Sequence, residues 1–346
     1  MCHSELVSES QLRCWNEFSM TDKIILLLVI KWQFFRGLNS DQIMISRIYK
    51  LIINEIIKHS RSKISYLGII CVMLSSLVMV KSIAFTSSEM QITGFSFLIT
   101  AMLGVCTSIL PLFVTIFSSI IVANEATRGT LRVILTQPIR RIEFLISKWI
   151  MSSMYMILLL IITFLIILLY AQFQYDFSDV MEEDLVVYSK GEMIIALLKS
   201  FIFLLFPLMA TVTYGFFISV ISKNVAVAVG GAVGTLFTIE PIKHLLKFNH
   251  FNLTNYIFTS YLDLPLVMSS DMASGVGNPW KSDLTDINRL VIVCSSYIII
   301  CWILSLIIFL KRDLNWKIKF DRDRQDKQDY IIIIEVMFTQ FQMFII

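Results

Sequence analysis

Residues 149–170 read WIMSSMYMILLLIITFLIILLY, with no charged side chain from Trp149 to Tyr170. A helix needs about 20 mostly apolar residues to cross the hydrocarbon core of a bilayer, and this run is long enough. Five further runs meet the same measure: Ile64 to Phe85, Phe97 to Ala123, Ile194 to Ile221, Val225 to Leu246 and Leu290 to Leu310. The expected fold is an all-α integral membrane protein with six transmembrane helices. In the fifth run the purely apolar part stops at Ile239, and Glu240, Pro241 and Lys243 finish it. Composition agrees, since 56% of the 346 residues are apolar and 16% charged, too little polar surface to wrap a soluble core of this length. The formal charge of +3 leaves no footprint for a nucleic-acid partner.

Basic residues in the connections decide the orientation, because loops rich in Lys and Arg stay on the cytoplasmic side. With the N-terminus inside, cytoplasmic segments hold five basic residues between Arg47 and Lys63, four between Arg128 and Arg141, Lys223, and seven between Lys311 and Lys327. The outer loops hold Lys190, Lys243, Lys247, Lys281 and Arg289. Both termini are therefore expected in the cytoplasm. The outer loop from Ala171 to Met193 is acidic, and the longest connection, 247–289, contains Pro265, Gly275, Gly277 and Pro279, which favour turns and leave room for short helices.

Ahead of the first span, Ile45, Ile48, Ile52 and Ile56 share one side of a helix, while Arg47, Lys50, Asn54 and Lys58 share the other. This predicts an N-terminal amphipathic helix in the membrane interface, its cations at the headgroups. The other reading is simply the start of the first span. Residues 1–43 contain only a short apolar run, Ile24 to Ile30, and form a poorly defined N-terminal extension. The transmembrane domain is expected over 44–319, and 320–346 form a C-terminal tail.

The connection between the second and third spans carries the most information. It reads EATRGTLRVILTQPIRRIEFLISK from Glu125 to Lys148. Thr130 can cap a short helix, Leu131 and Leu135 fall on one face of it, and Pro138 stops it before the next span. A short amphipathic helix across the membrane surface follows. The pattern resembles the ExxxGTL…LxxPxxR…K signature of ABC-2 type permeases, the membrane subunits of ATP-binding-cassette exporters. Glu125, Gly129, Thr130, Leu131, Leu135, Pro138, Arg141 and Lys148 occupy the signature positions.

The resemblance implies that this segment is a coupling helix docked on the ATPase, with Arg128 and Arg132 among its contacts. It also implies a bacterial inner-membrane (plasma membrane) exporter, a second permease in a homo- or heterodimer, and ATP and Mg held by an ABC ATP-binding subunit in trans. No cofactor is expected on this chain, and the permease itself would catalyse no covalent reaction. Gly129 suits a turn or a close backbone approach, and the arginines suit acidic groups on the partner. A basic loop that only binds phospholipid headgroups would explain the arginines but not the Gly-Thr-Leu, Pro and Lys spacing.

Other chemistry is sparse. No GxxxxGK[ST] loop occurs, so an ATPase must be a separate chain. Gly230, Gly231 and Gly234, with Ala226, Ala228 and Ala232, are expected to let the fifth span pack tightly. Cys71, Cys106, Cys294 and Cys301 read as buried apolar residues, and His3, His59, His244 and His250 have no metal-ligand spacing. Glu240 is expected to be paired or to snorkel, and Pro111 and Pro207 to kink their helices. The competing function is an ATP-independent membrane scaffold or sensor whose outer loop binds a ligand.

Overall fold

A computed structural model of the protein describes residues 47–86, 93–129, 140–182, 185–246, 253–282 and 284–311. The chain divides into two compact units, 1–51 and 52–346. Of the first, residues 47–51 are described, and all are helical. The second opens with helix 52–60 (α1), followed by α2 (Lys63–Thr86), α3 (Gly94–Thr107), α4 (Ile109–Arg128) and α5 (Arg141–Gln174). Then come strands β1 (Val180–Glu182) and β2 (Leu185–Tyr188), α6 (Lys190–Ile221) and α7 (Val225–Leu246). Two 3-10 turns, Leu253–Tyr256 and Phe258–Tyr261, lead into α8 (Leu264–Ala273), α9 (Pro279–Ser282) and α10 (Leu284–Lys311).

Among the described residues, six stretches are long and apolar enough to cross a membrane: Lys63–Phe85, Gly94–Arg128, Arg141–Gln174, Lys190–Ile221, Val225–Lys243 and Leu284–Lys311. They coincide with the six runs expected from the sequence, and the chain is a multi-pass membrane protein. Large apolar side chains point outward along them, for example Leu74, Leu77 and Val78 on α2, and Ile157, Leu158, Ile161 and Leu165 on α5. Such faces are stable against lipid, and the helices satisfy their own backbone hydrogen bonds there.

Three features depart from the expected pattern. The second span is two helices, broken at Ser108 with φ −112 and ψ −73. Pro111 has no N–H to return to the carbonyl of Thr107, and the hydroxyls of Thr107 and Ser108 donate back to Leu103 and Gly104, which favours a bend. Pro207, by contrast, lies inside an unbroken α6. The third span runs for 34 residues, about 51 Å at ~1.5 Å per residue, so it overreaches a ~30 Å core. Its surplus at the N-terminal end carries Arg141, Glu143 and Lys148.

The fold is also not purely helical. β1 and β2 pair antiparallel in the loop read only as acidic, where the Leu-Val-Val-Tyr run ending at Tyr188 has strong β-propensity. Ser189 then caps α6, its hydroxyl accepting from the N–H of Glu192 while the Glu192 carboxylate accepts from the N–H of Ser189. The long connection after the fifth span is largely structured. Ser200 on α6 donates to the Pro265 carbonyl at 2.6 Å, Ser269 on α8 donates to the Ala196 carbonyl, and Trp280 donates to the Ser269 hydroxyl at 3.2 Å. These bonds seat α8 on α6 with Leu266 and Met272 buried.

A close helix crossing joins α4 and α6. A Cβ at Gly215 would stand 2.1 Å from the Ser118 hydroxyl and 3.0 Å from the Thr115 carbonyl. Four residues on, the buried Ser219 hydroxyl accepts from the N–H groups of both Val122 and Ala123 at 3.0 Å. The glycines of the fifth span make no such approach within the chain. Gly230 and Gly234 have nothing within 4 Å of a Cβ, and Gly231 meets only Ile218 at 3.9 Å. α7 is the least buried of the six spans: Gly230, Gly231 and Gly234 are exposed, while Ala228 and Ala232 are buried against the chain.

Candidate functional site

Five of the ten expected coupling residues, Thr130, Leu131, Arg132, Leu135 and Pro138, lie outside the described residues. The other five bracket that gap. Glu125, Arg128 and Gly129 end α4, and Arg141 and Lys148 open α5. Gly129 closes α4 in the left-handed conformation (φ 72), its N–H donating to Ala126. Nothing lies within 4 Å of a Cβ there, so the glycine serves the turn rather than a close approach. Arg128 is exposed. Arg141, expected among the groups offered to a partner, donates to the carbonyl of Leu310 at 3.0 Å.

Glu125 and Lys148 meet in the interior, although 23 residues separate them. Lys148 is 0% exposed and its Nζ lies 2.7 Å from Glu125 Oε1, on a carboxylate itself 2% exposed. The same ammonium reaches Glu55 Oε1 on α1 at 3.0 Å. Lys58 bonds to Glu125 from α1 and stands 3.8 Å from Glu55 Oε1. Two carboxylates and two ammonium groups from three helices thus neutralise one another; Glu55, Glu125 and Lys148 do so at a depth where an isolated ion would cost several kcal/mol, while Lys58 is 40% exposed. His59 Nε2 adds a contact to Glu55 Oε2 at 3.4 Å, and its ring lies on Phe117, which stacks on Tyr155.

The neighbouring helix ends support this arrangement. Glu143 accepts from the N–H of Arg140 and so holds the first turn of α5, where the free N–H groups also favour an acid. Thr127 donates to the Lys223 carbonyl and accepts from the Val225 N–H, tying the end of α4 to the turn between α6 and α7.

α1 supplies Glu55, Lys58 and His59, which the sequence reading did not place in the site. Its inward face carries Glu55 and His59 beside Ile52. Ile56, like Ile53 and Ile57, is exposed, whereas Glu55 is buried and Ile52 and His59 are half-buried. The available signal was that Glu55 and His59 continue the stripe of Ile48 and Ile52 at i+3 and i+7 spacing from Ile52. An acid on the apolar side of an amphipathic helix seeks a buried cation.

Burial alone would raise the pKa of Glu55, but the His59 hydrogen bond and the charges of Lys148 and Lys58 outweigh it and hold the group at about 2, against an ordinary 4.5. Because the folded value is the lower one, the stabilisation is complete above 4.5 and is lost as pH falls through about 2. The difference in unfolding temperature between wild type and Glu55→Gln is therefore expected to stay constant from neutrality down to pH 4.5 and to shrink between there and about 2. Thermal unfolding in detergent across that range measures it, and a gap that closes already above pH 4.5 would contradict the assignment.

The ABC-2 family transporter protein model matches residues 51–239, more than half of the chain, including all four charges of the cluster, the first four spans and most of the fifth. The chain belongs to the ABC-2 transporter family. This permease is accordingly a membrane transport component, with the cluster inside the matched region and α8 to α10 beyond it. No curated protein matches its sequence.

Proposed function

We propose that this permease is half of the transmembrane pathway of an ATP-driven exporter in the plasma membrane, with both termini in the cytoplasm. Residues 125–144 dock on a separate ATP-binding subunit, which holds ATP and Mg. ABC-2 permeases generally work with such a subunit. The observation that carries the reading is the buried cluster. Glu125 and Lys148 sit on the two spans that flank the segment, and Glu55 and Lys58 join α1 to them. A push on the segment therefore reaches two spans and α1 as one body, since separating them exposes unpaired charge to a dry interior.

A second permease, the same chain or a related one, completes the pathway. The exposed small-residue side of α7 supports a surface left for it, because glycine faces let helices approach closely in lipid. Leu131 and Leu135 are the apolar anchors of the docked helix, Thr130 and Pro138 bound it, and Arg128 and Arg132 contact the partner. Leu131→Asp is expected to abolish co-purification of the ATPase while leaving the permease folded and inserted. Retained ATPase in that variant, with Leu135→Asp also neutral, would remove the coupling role. A scaffold or sensor would yield no nucleotide-dependent partner with the wild type either.

A further inference from the structure

Arg141 joins the start of the third span to the end of the sixth. Its guanidinium donates to the carbonyl of Leu310, in the last described turn of α10. One turn along α5, the Phe144 ring stacks on Phe309 with centroids 5.8 Å apart and planes at 16°. The Lys148 ammonium lies over the same ring, 4.9 Å from the Phe144 centroid. Arg141, Phe144 and Lys148 share one face at i, i+3 and i+7. Through them the Glu55, Glu125 and Lys148 cluster is continuous with the end of α10, the span outside the family match.

We propose that Arg141 is a positioning residue that clasps the sixth span to the segment after the second, so that the two are displaced together. The inference rests on the coupling reading and adds the sixth span to the moving body. An arginine suits the task because its planar fork fixes direction as well as charge, whereas a lysine keeps the charge and gives up the fork. Arg141 is then turned toward its own chain and is not among the groups a partner must bind.

The test uses the full-length permease in lipid vesicles with the ATPase that co-purifies with it, native cysteines replaced, and a single nitroxide at position 140 or 311. In the wild type, ATP is expected to change the spectrum of both labels. In Arg141→Gln the change at 311 is lost while that at 140 persists, and Arg141→Lys restores part of it. An undiminished response at 311 in Arg141→Gln overturns the clasp and leaves coupling intact. No response at either label in the wild type overturns coupling, and the clasp with it. Should Arg141→Gln not insert, Arg141→Lys decides alone, since a full response at 311 in that variant overturns the proposal.

Discussion

Lys148→Met is expected to destabilise the permease by about 3–5 kcal/mol, the range for removing one partner of a buried ion pair. Methionine keeps much of the volume and flexibility of lysine, so packing around the site changes little. What changes is charge. Glu55 and Glu125 would share a dry site with Lys58, whose side chain is 40% exposed and which alone cannot neutralise both. One carboxylate must then take up a proton or draw in water, and either route weakens the hold between α1, α4 and α5.

The measurement is the thermal unfolding midpoint of purified permease in detergent. Adding Glu125→Gln to Lys148→Met restores the charge balance with Lys58 and Glu55, so the double variant is expected to unfold above the single one. Additive losses would mean that the residues act independently. An unchanged midpoint in Lys148→Met would show that the cluster holds nothing together. Lys148→Arg is not a mild control, because a larger, planar group must enter a site with no exposure.

The six spans were legible because lipid imposes a length and a composition on each one, and runs such as Trp149 to Tyr170 declare both. The break at Ser108 was only half legible. Pro111 announced a disturbance, but Pro207 is an equal signal in an unbroken helix; what differs is that Thr107 and Ser108, just before Pro111, bond back to the preceding turn, whereas Phe203 and Leu204 stand before Pro207. Glu125 and Lys148 stood out through their motif positions. That they touch, and that α1 completes the site, was hidden because an ion pair leaves no periodicity in a sequence. Glycines show the same limit. A small residue allows close approach, but only its neighbours determine whether an approach occurs. Gly230 and Gly234 look like a packing motif and face open space within the chain, while the single Gly215 meets two groups of α4.

Gly215→Val is expected to cost about 3 kcal/mol, the upper part of the ~1–3 kcal/mol range for overpacking. Its Cβ would fall 2.1 Å from the Ser118 hydroxyl and 3.0 Å from the Thr115 carbonyl. A serine hydroxyl can rotate away, although this one also donates to the Thr115 carbonyl. A main-chain carbonyl inside a helix cannot move without the helix, so α4 and α6 must part. Parting stretches the two bonds that Ser219 accepts from Val122 and Ala123, one turn farther along. Those donors are buried and have little chance of finding water. Gly215→Ala should show the same effect in smaller measure, and Ser118→Gly should relieve part of it by removing the side chain that the new methyl meets. Gly191→Ala on the same helix, where only the Ser189 hydroxyl comes within 4 Å, at 3.9 Å, should be neutral or slightly stabilising. Unfolding midpoints of the four variants read the comparison, and equal midpoints for Gly215→Val and Gly191→Ala would mean that the crossing is looser than its geometry requires.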